Sequence, residues 1–167
     1  NGETGNDILG GGAGADTFVV DMVAGSTGTF DGGTSIDSYT LNLAGSATLD
    51  GATATENVTI NYSGATKATV ALGTNELSAD YAATTNYSTT VAGTGDVTIT
   101  GDDDMFNAKK IVSTSTGTVT VDVTSATDAA DYTQIAVDVL ELSTTAAGAV
   151  EVDVNTNTIV NLDADHT

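Results

Sequence analysis

Thr118-Val119-Thr120-Val121-Asp122-Val123-Thr124 alternates polar and apolar residues without a break. Successive side chains of an extended chain point to opposite faces. A period of two therefore puts Val119, Val121 and Val123 on one face and Thr118, Thr120, Asp122 and Thr124 on the other, the pattern of a strand buried on one side. Its β-branched composition favours the same conformation. The cadence returns in Tyr39–Leu43, Asn57–Tyr62, Ala68–Leu72, Asp96–Thr100, Ile135–Leu142, Val150–Val154 and Thr158–Leu162. In Ile135–Leu142 it groups Ile135, Val137 and Val139 on one face. Between the runs stand turn formers: Ala44-Gly45-Ser46, Ser63-Gly64, Gly93-Thr94-Gly95 and Gly101-Asp102-Asp103-Asp104. Pro is absent from the whole chain, so nothing of that kind interrupts strand hydrogen bonding. The fold class this predicts is all-β.

The 167 residues are 40% hydrophobic, enough to bury a core, but only 5% aromatic with no Trp. Ala, Val, Ile and Leu can fill only a thin core between closely spaced strands. The strand runs recur at irregular spacings, which fits either the rungs of a parallel β-solenoid or a stacked β-sheet body. The small core residues favour the solenoid. Helix is sparse: Leu77–Thr85 and Ala126–Tyr132 could form short turns of it, and no other stretch does.

Charge restricts the partners. There are 23 acidic residues against three basic ones, Lys67, Lys109 and Lys110, for a net charge of −20. Such a surface repels nucleic-acid phosphates, so nucleic-acid binding is set aside. Self-repulsion at this charge opposes the compact state unless something neutralises it; divalent cations are suited to that, and a solvated acidic surface that keeps a secreted protein soluble is the other reading. Cys is absent, so no disulfide staples the fold. No apolar run is long enough to span a bilayer. The chain opens at Asn1 inside a repeat and shows no signal peptide, as expected of a processed chain or a piece of a longer protein.

The repeat occupies the first residues. Gly2 to Gly10 reads GETGNDILG, and Gly11 to Val19 reads GGAGADTFV. At a spacing of nine, Gly2 meets Gly11, Gly5 meets Gly14, Asp7 meets Asp16, and Leu9 meets Phe18. A third, looser copy, Gly32 to Thr40, reads GGTSIDSYT and puts Asp37 and Tyr39 in the acidic and apolar places. Gly-rich turns allow backbone conformations closed to other residues and can aim carbonyl oxygens at one centre. An Asp in the same loop adds a carboxylate. Calcium takes six to eight such hard oxygens, more than one loop supplies but within reach of two stacked loops.

This nonapeptide is similar to the RTX repeat, G-G-x-G-x-D-x-U-x, of calcium-binding proteins exported by type I secretion. GNDILGGGAGADTF follows that consensus closely, with Glu3 and Ser35 standing where the pattern has Gly. The resemblance implies calcium ligands at Asp7 and Asp16, with backbone oxygens of Gly2, Thr4, Gly11 and Ala13. It also implies a further half-site at Asp37 with the Gly32 and Gly33 backbone. The resulting organisation is a short RTX calcium β-roll over 1–20, a linker with a partial third repeat over 21–40, and the solenoid or stacked-sheet body over 41–167. The body resembles surface-layer proteins of Gram-negative bacteria in its Thr, Ala, Gly and Val content.

Other residues carry weaker chemistry. Asp102, Asp103 and Asp104 place three adjacent carboxylates at a turn, where Ca2+ is one reading and a solvated acidic turn the other. Lys109 and Lys110 are expected in an exposed local ion pair, or paired with a neighbouring subunit. His166, the only His, stands one residue from the end of the chain, so a His-based triad is not expected. The metalloprotease motif H-E-x-x-H is absent. Thr118, Thr120 and Thr124, with Thr59, Thr98 and Thr100, raise a lesser reading, a flat ladder suited to ice.

The function expected is structural: a secreted, calcium-dependent, self-assembling subunit of a bacterial surface layer or filament, not an enzyme. Its partners would be copies of itself and, further, cell-surface polysaccharide. An adhesin, or an accessory domain of a secreted hydrolase, is the alternative.

Overall fold

Alternation sorts each run into an inward and an outward face, and the short Gly-rich connections turn the chain back after a few residues. The computed structural model describes residues 7–31, 37–49, 57–72, 88–107, 109–127, 129–143, 153–155 and 158–162. There the chain winds as stacked rungs. β1 (Asp7–Gly10) and β2 (Thr17–Met22) make the first. β3 (Thr27–Asp31) with β4 (Ser38–Leu43), β5 (Ala47–Leu49) with β6 (Asn57–Tyr62), β7 (Ala68–Leu72) with β8 (Ser88–Gly93), and β9 (Val97–Gly101) with β10 (Ile111–Ser113) follow. Then come β11 (Val119–Val123), β12 (Asp131–Tyr132), β13 (Ile135–Ala136), β14 (Val139–Leu142), β15 (Asp153–Val154) and β16 (Ile159–Leu162).

Consecutive strands go to different sheets. β1, β3, β5, β7, β9, β11, β14 and β16 form one sheet in that order, and β2, β4, β6, β8, β10 and β13 form the other; β12 and β15 make a small third. Every pairing is parallel, as in Thr17 beside Ser38, Ser38 beside Asn57 and Asn57 beside Ser88. Parallel neighbours need a crossover between them. Here the crossover is the strand in the opposite sheet, and the result is a parallel β-solenoid. β3 and the start of β4 fall within 21–40, the stretch expected as a linker.

The inward faces stack into continuous rows. Phe18, Tyr39, Val58, Thr89, Ile111 and Ile135 line up on one sheet, with Val20, Leu41, Ile60 and Val91 beside them. Ala47, Val70, Ile99, Val121, Leu140 and Val160 answer from the other. Most are fully buried, Ile60, Val70, Ile99 and Val121 at 0% exposure. Each such side chain contributes about 1.5–3 kcal/mol by leaving water. Medium-sized residues in rows suffice because the two sheets face each other across one thin layer.

The two edges of the solenoid differ. On one edge the connections are short: Ala44–Ser46 between β4 and β5, Thr94–Asp96 between β8 and β9, and Thr114–Thr118 between β10 and β11. They stack so closely that a methyl group on Gly117 would collide with the Gly95 carbonyl oxygen. Gly93 has φ +113, and a methyl there would meet the Tyr62 carbonyl. The other edge carries longer connections, including Gly11–Asp16 and one that holds a 3-10 turn, Asp103–Met105.

Two readings change. Ile135–Leu142 is two strands in different sheets, because the chain turns at Val137 and Asp138; the Asp138 N–H donates to the Val119 carbonyl at 3.1 Å. The turn resets the parity, so Leu140 and Leu142 face inward in place of Val139. Ala126–Tyr132 forms no helix among its described residues. The Ala126 N–H donates to the Ser143 carbonyl at 2.8 Å, across to the next rung, and the segment ends in β12. Leu77–Thr85 lies outside the described residues. Strands β8 and β10 lack a clear sequence signal. β8 reads Ser-Thr-Thr-Val-Ala-Gly, and its Thr89 is drawn into an apolar row at 1% exposure.

Candidate metal centre

The six residues Gly11–Asp16 cross from β1 to β2. Gly12 and Gly14 lie at φ +90 and +111, which explains their identity by backbone conformation. The crossing delivers Asp16 to the start of β2, next to Thr17. One rung on, Asp37 holds the same place before Ser38. The Asp16 N–H donates to Asp37 Oδ1 at 2.7 Å, and the Ser38 N–H donates to the Asp16 carbonyl at 3.0 Å. Two residues along, the rings of Phe18 and Tyr39 stack with centroids 4.7 Å apart and planes 8° from parallel. The second and third copies of the repeat thus lie in register, acidic place over acidic place and aromatic over aromatic.

Asp37 is completely buried. Asp16 is half-buried, yet its Oδ2 is closed off from solvent and has no hydrogen-bond partner. A buried acceptor left unmet costs about 1–3 kcal/mol. Like charges directly opposite on neighbouring strands also destabilise a sheet. A cation with a preference for hard oxygen would relieve both, since carboxylates and backbone carbonyls are the donors calcium takes. Asp16 and Asp37 thus carry two donors of the kind such an ion takes.

Not every expected ligand gathers here. Asp7 begins β1 beside Gly28, so β1 and its following turn separate it from Asp16, at the other edge of the rung. Contiguous copies of the repeat occupy opposite sheets; it is copies on consecutive rungs that meet. Gly11 and Ala13 belong to the crossing, Gly11 partly buried and Ala13 exposed. Gly2, Thr4, Gly32 and Gly33 lie outside the described residues. So does His166.

Asp102, Asp103 and Asp104 diverge. Asp102 and Asp104 are exposed, whereas Asp103 turns inward. Its Oδ2 accepts from Thr127 Oγ1 at 2.6 Å, and its Oδ1 accepts from the Tyr132 hydroxyl. Both donors sit on the next rung, so Asp103 ties two rungs together. Burial, then the hydrogen bond to Asp103 and its charge, hold the Tyr132 phenol well above its ordinary range. No sequence signal marked that pair, because residues 103 and 132 meet only through the winding. Among the described residues no group of three or more His, Cys, Asp or Glu is arranged to hold a metal ion.

Two surface readings are corrected. Lys109 is buried, where an exposed position was expected. Thr98 and Thr120, in register on β9 and β11, are 5% and 7% exposed and offer no open threonine ladder. No helix among the described residues is long and apolar enough to cross a membrane.

No family model, no curated protein and no solved structure matches the chain.

Proposed function

We propose that this protein is a calcium-dependent structural subunit, secreted to the bacterial cell surface, where copies of it assemble into a layer or filament. The observation that carries the reading is the stacking of Asp16 on Asp37 across consecutive rungs, with the buried Asp16 Oδ2 unmet. Asp16 and Asp37, with carbonyls of the Gly11–Asp16 crossing, would hold the ion. Calcium supplies positive charge that offsets the stacked carboxylates. The likeness of Gly2–Val19 to the RTX repeat supports the same ion and export by type I secretion.

The chain's own residues do the rest. The Gly-rich crossing would supply backbone oxygen, the Phe18–Tyr39 stack keeps the two rungs in register, and the apolar rows form the core of the scaffold. An ion bound only by the folded state adds stability by mass action. The net charge of −20 makes that contribution matter for assembly as well, since like-charged copies repel until cations intervene. Cell-surface polysaccharide is a further partner in this reading.

Electron microscopy of the protein with calcium, and again after excess chelator, tests it. Ordered sheets or filaments that dissolve on chelation are expected. Monodisperse particles in both conditions would overturn the proposal.

A further inference from the structure

We draw no further inference here: the strongest candidate, the apolar edge that Ile159 and Leu162, each 64% exposed, leave on the last strand of the eight-stranded sheet, carries nothing because nothing in the structure shows what covers it.

Discussion

The backbone N–H of Asp16 donates to Oδ1 of Asp37, 21 residues further along the chain, at 2.7 Å. The bond joins the first rung to the second at the point where each enters the six-stranded sheet. Parallel register holds the two residues one above the other, because Thr17 pairs with Ser38 and Phe18 stacks on Tyr39 immediately beyond. The Asp37 carboxylate therefore takes part in the docking of one rung on the next.

Replacing either carboxylate should weaken calcium binding. Asp16→Asn and Asp37→Asn are each expected to lower affinity at least tenfold by titration calorimetry, about 1.4 kcal/mol. Asp21→Asn is the control. Asp21 is exposed on the outward face, where Asn42 donates to it at 2.8 Å, so its loss should leave affinity unchanged. Parent-like calcium binding by the Asp16→Asn, Asp37→Asn double variant would refute the site.

Calcium should stabilise the fold beyond the effect of ionic strength. At free calcium a hundredfold above its dissociation constant the gain is about 2.7 kcal/mol. Thermal unfolding in calcium, in chelator and in sodium chloride of matched ionic strength separates the cases. An equal rise in melting temperature with sodium chloride would mean general screening of the acidic surface, with no specific ion.

The inward rows carry the stability of the solenoid. Ile60→Ala, at a fully buried site between Leu41 and Val91, should cost about 2–5 kcal/mol in denaturant unfolding. Thr59→Ala, the next residue and outward-facing, should stay within about 0.5 kcal/mol. Similar losses at both positions would contradict the assignment of faces.

The tight edge leaves no room for a methyl group at Gly117. Gly117→Ala forces a methyl group against the Gly95 backbone and should destabilise by roughly 1–3 kcal/mol. Gly10→Ala, where a methyl meets nothing within 4 Å, should be tolerated. Urea midpoints of the two variants provide the comparison, and equal midpoints would argue against close stacking of the turns.

Alkaline pH should expose the tie between Tyr132 and Asp103. The folded-state phenol is raised above its ordinary value of 10.0, so the unfolded chain loses this proton first as pH rises. The stabilisation is fully present below that value and declines above it, as the unfolded state alone ionises. Tyr132→Phe removes both the hydrogen bond and this decline. It should cost about 1–3 kcal/mol at neutral pH and show a shallower loss of stability between neutral and strongly alkaline pH. Parallel stability curves for the parent and the variant would place the phenol in an ordinary environment.

Much of the architecture was legible in single residues. Asn57–Tyr62 and Ala68–Leu72 are strands with the bounds their alternation predicts, because period two is a local property of the chain. The split of Ile135–Leu142 was not, since alternation reads straight through a turn as short as Val137-Asp138. β8 escaped for the opposite reason: its polar residues are held by neighbours on both sides, and those neighbours are distant in sequence. At the site, the repeat identified Asp7, Asp16 and Asp37 as equivalent but paired the contiguous two, whereas the winding stacks Asp16 on Asp37.

The sequence by itself determined an all-β chain, acidic and free of Cys and Pro, with a thin aliphatic core and a repeated Gly-Asp turn. These follow from composition and from periods shorter than one rung. Only the tertiary structure decided which carboxylates meet, that Asp103 serves Tyr132 and Thr127, and that Lys109 is buried. The physical reason is the length of each rung. Contacts in a parallel solenoid join residues one full turn apart, and that turn varies with every connection on the long edge, so local spacing does not reveal who stands above whom.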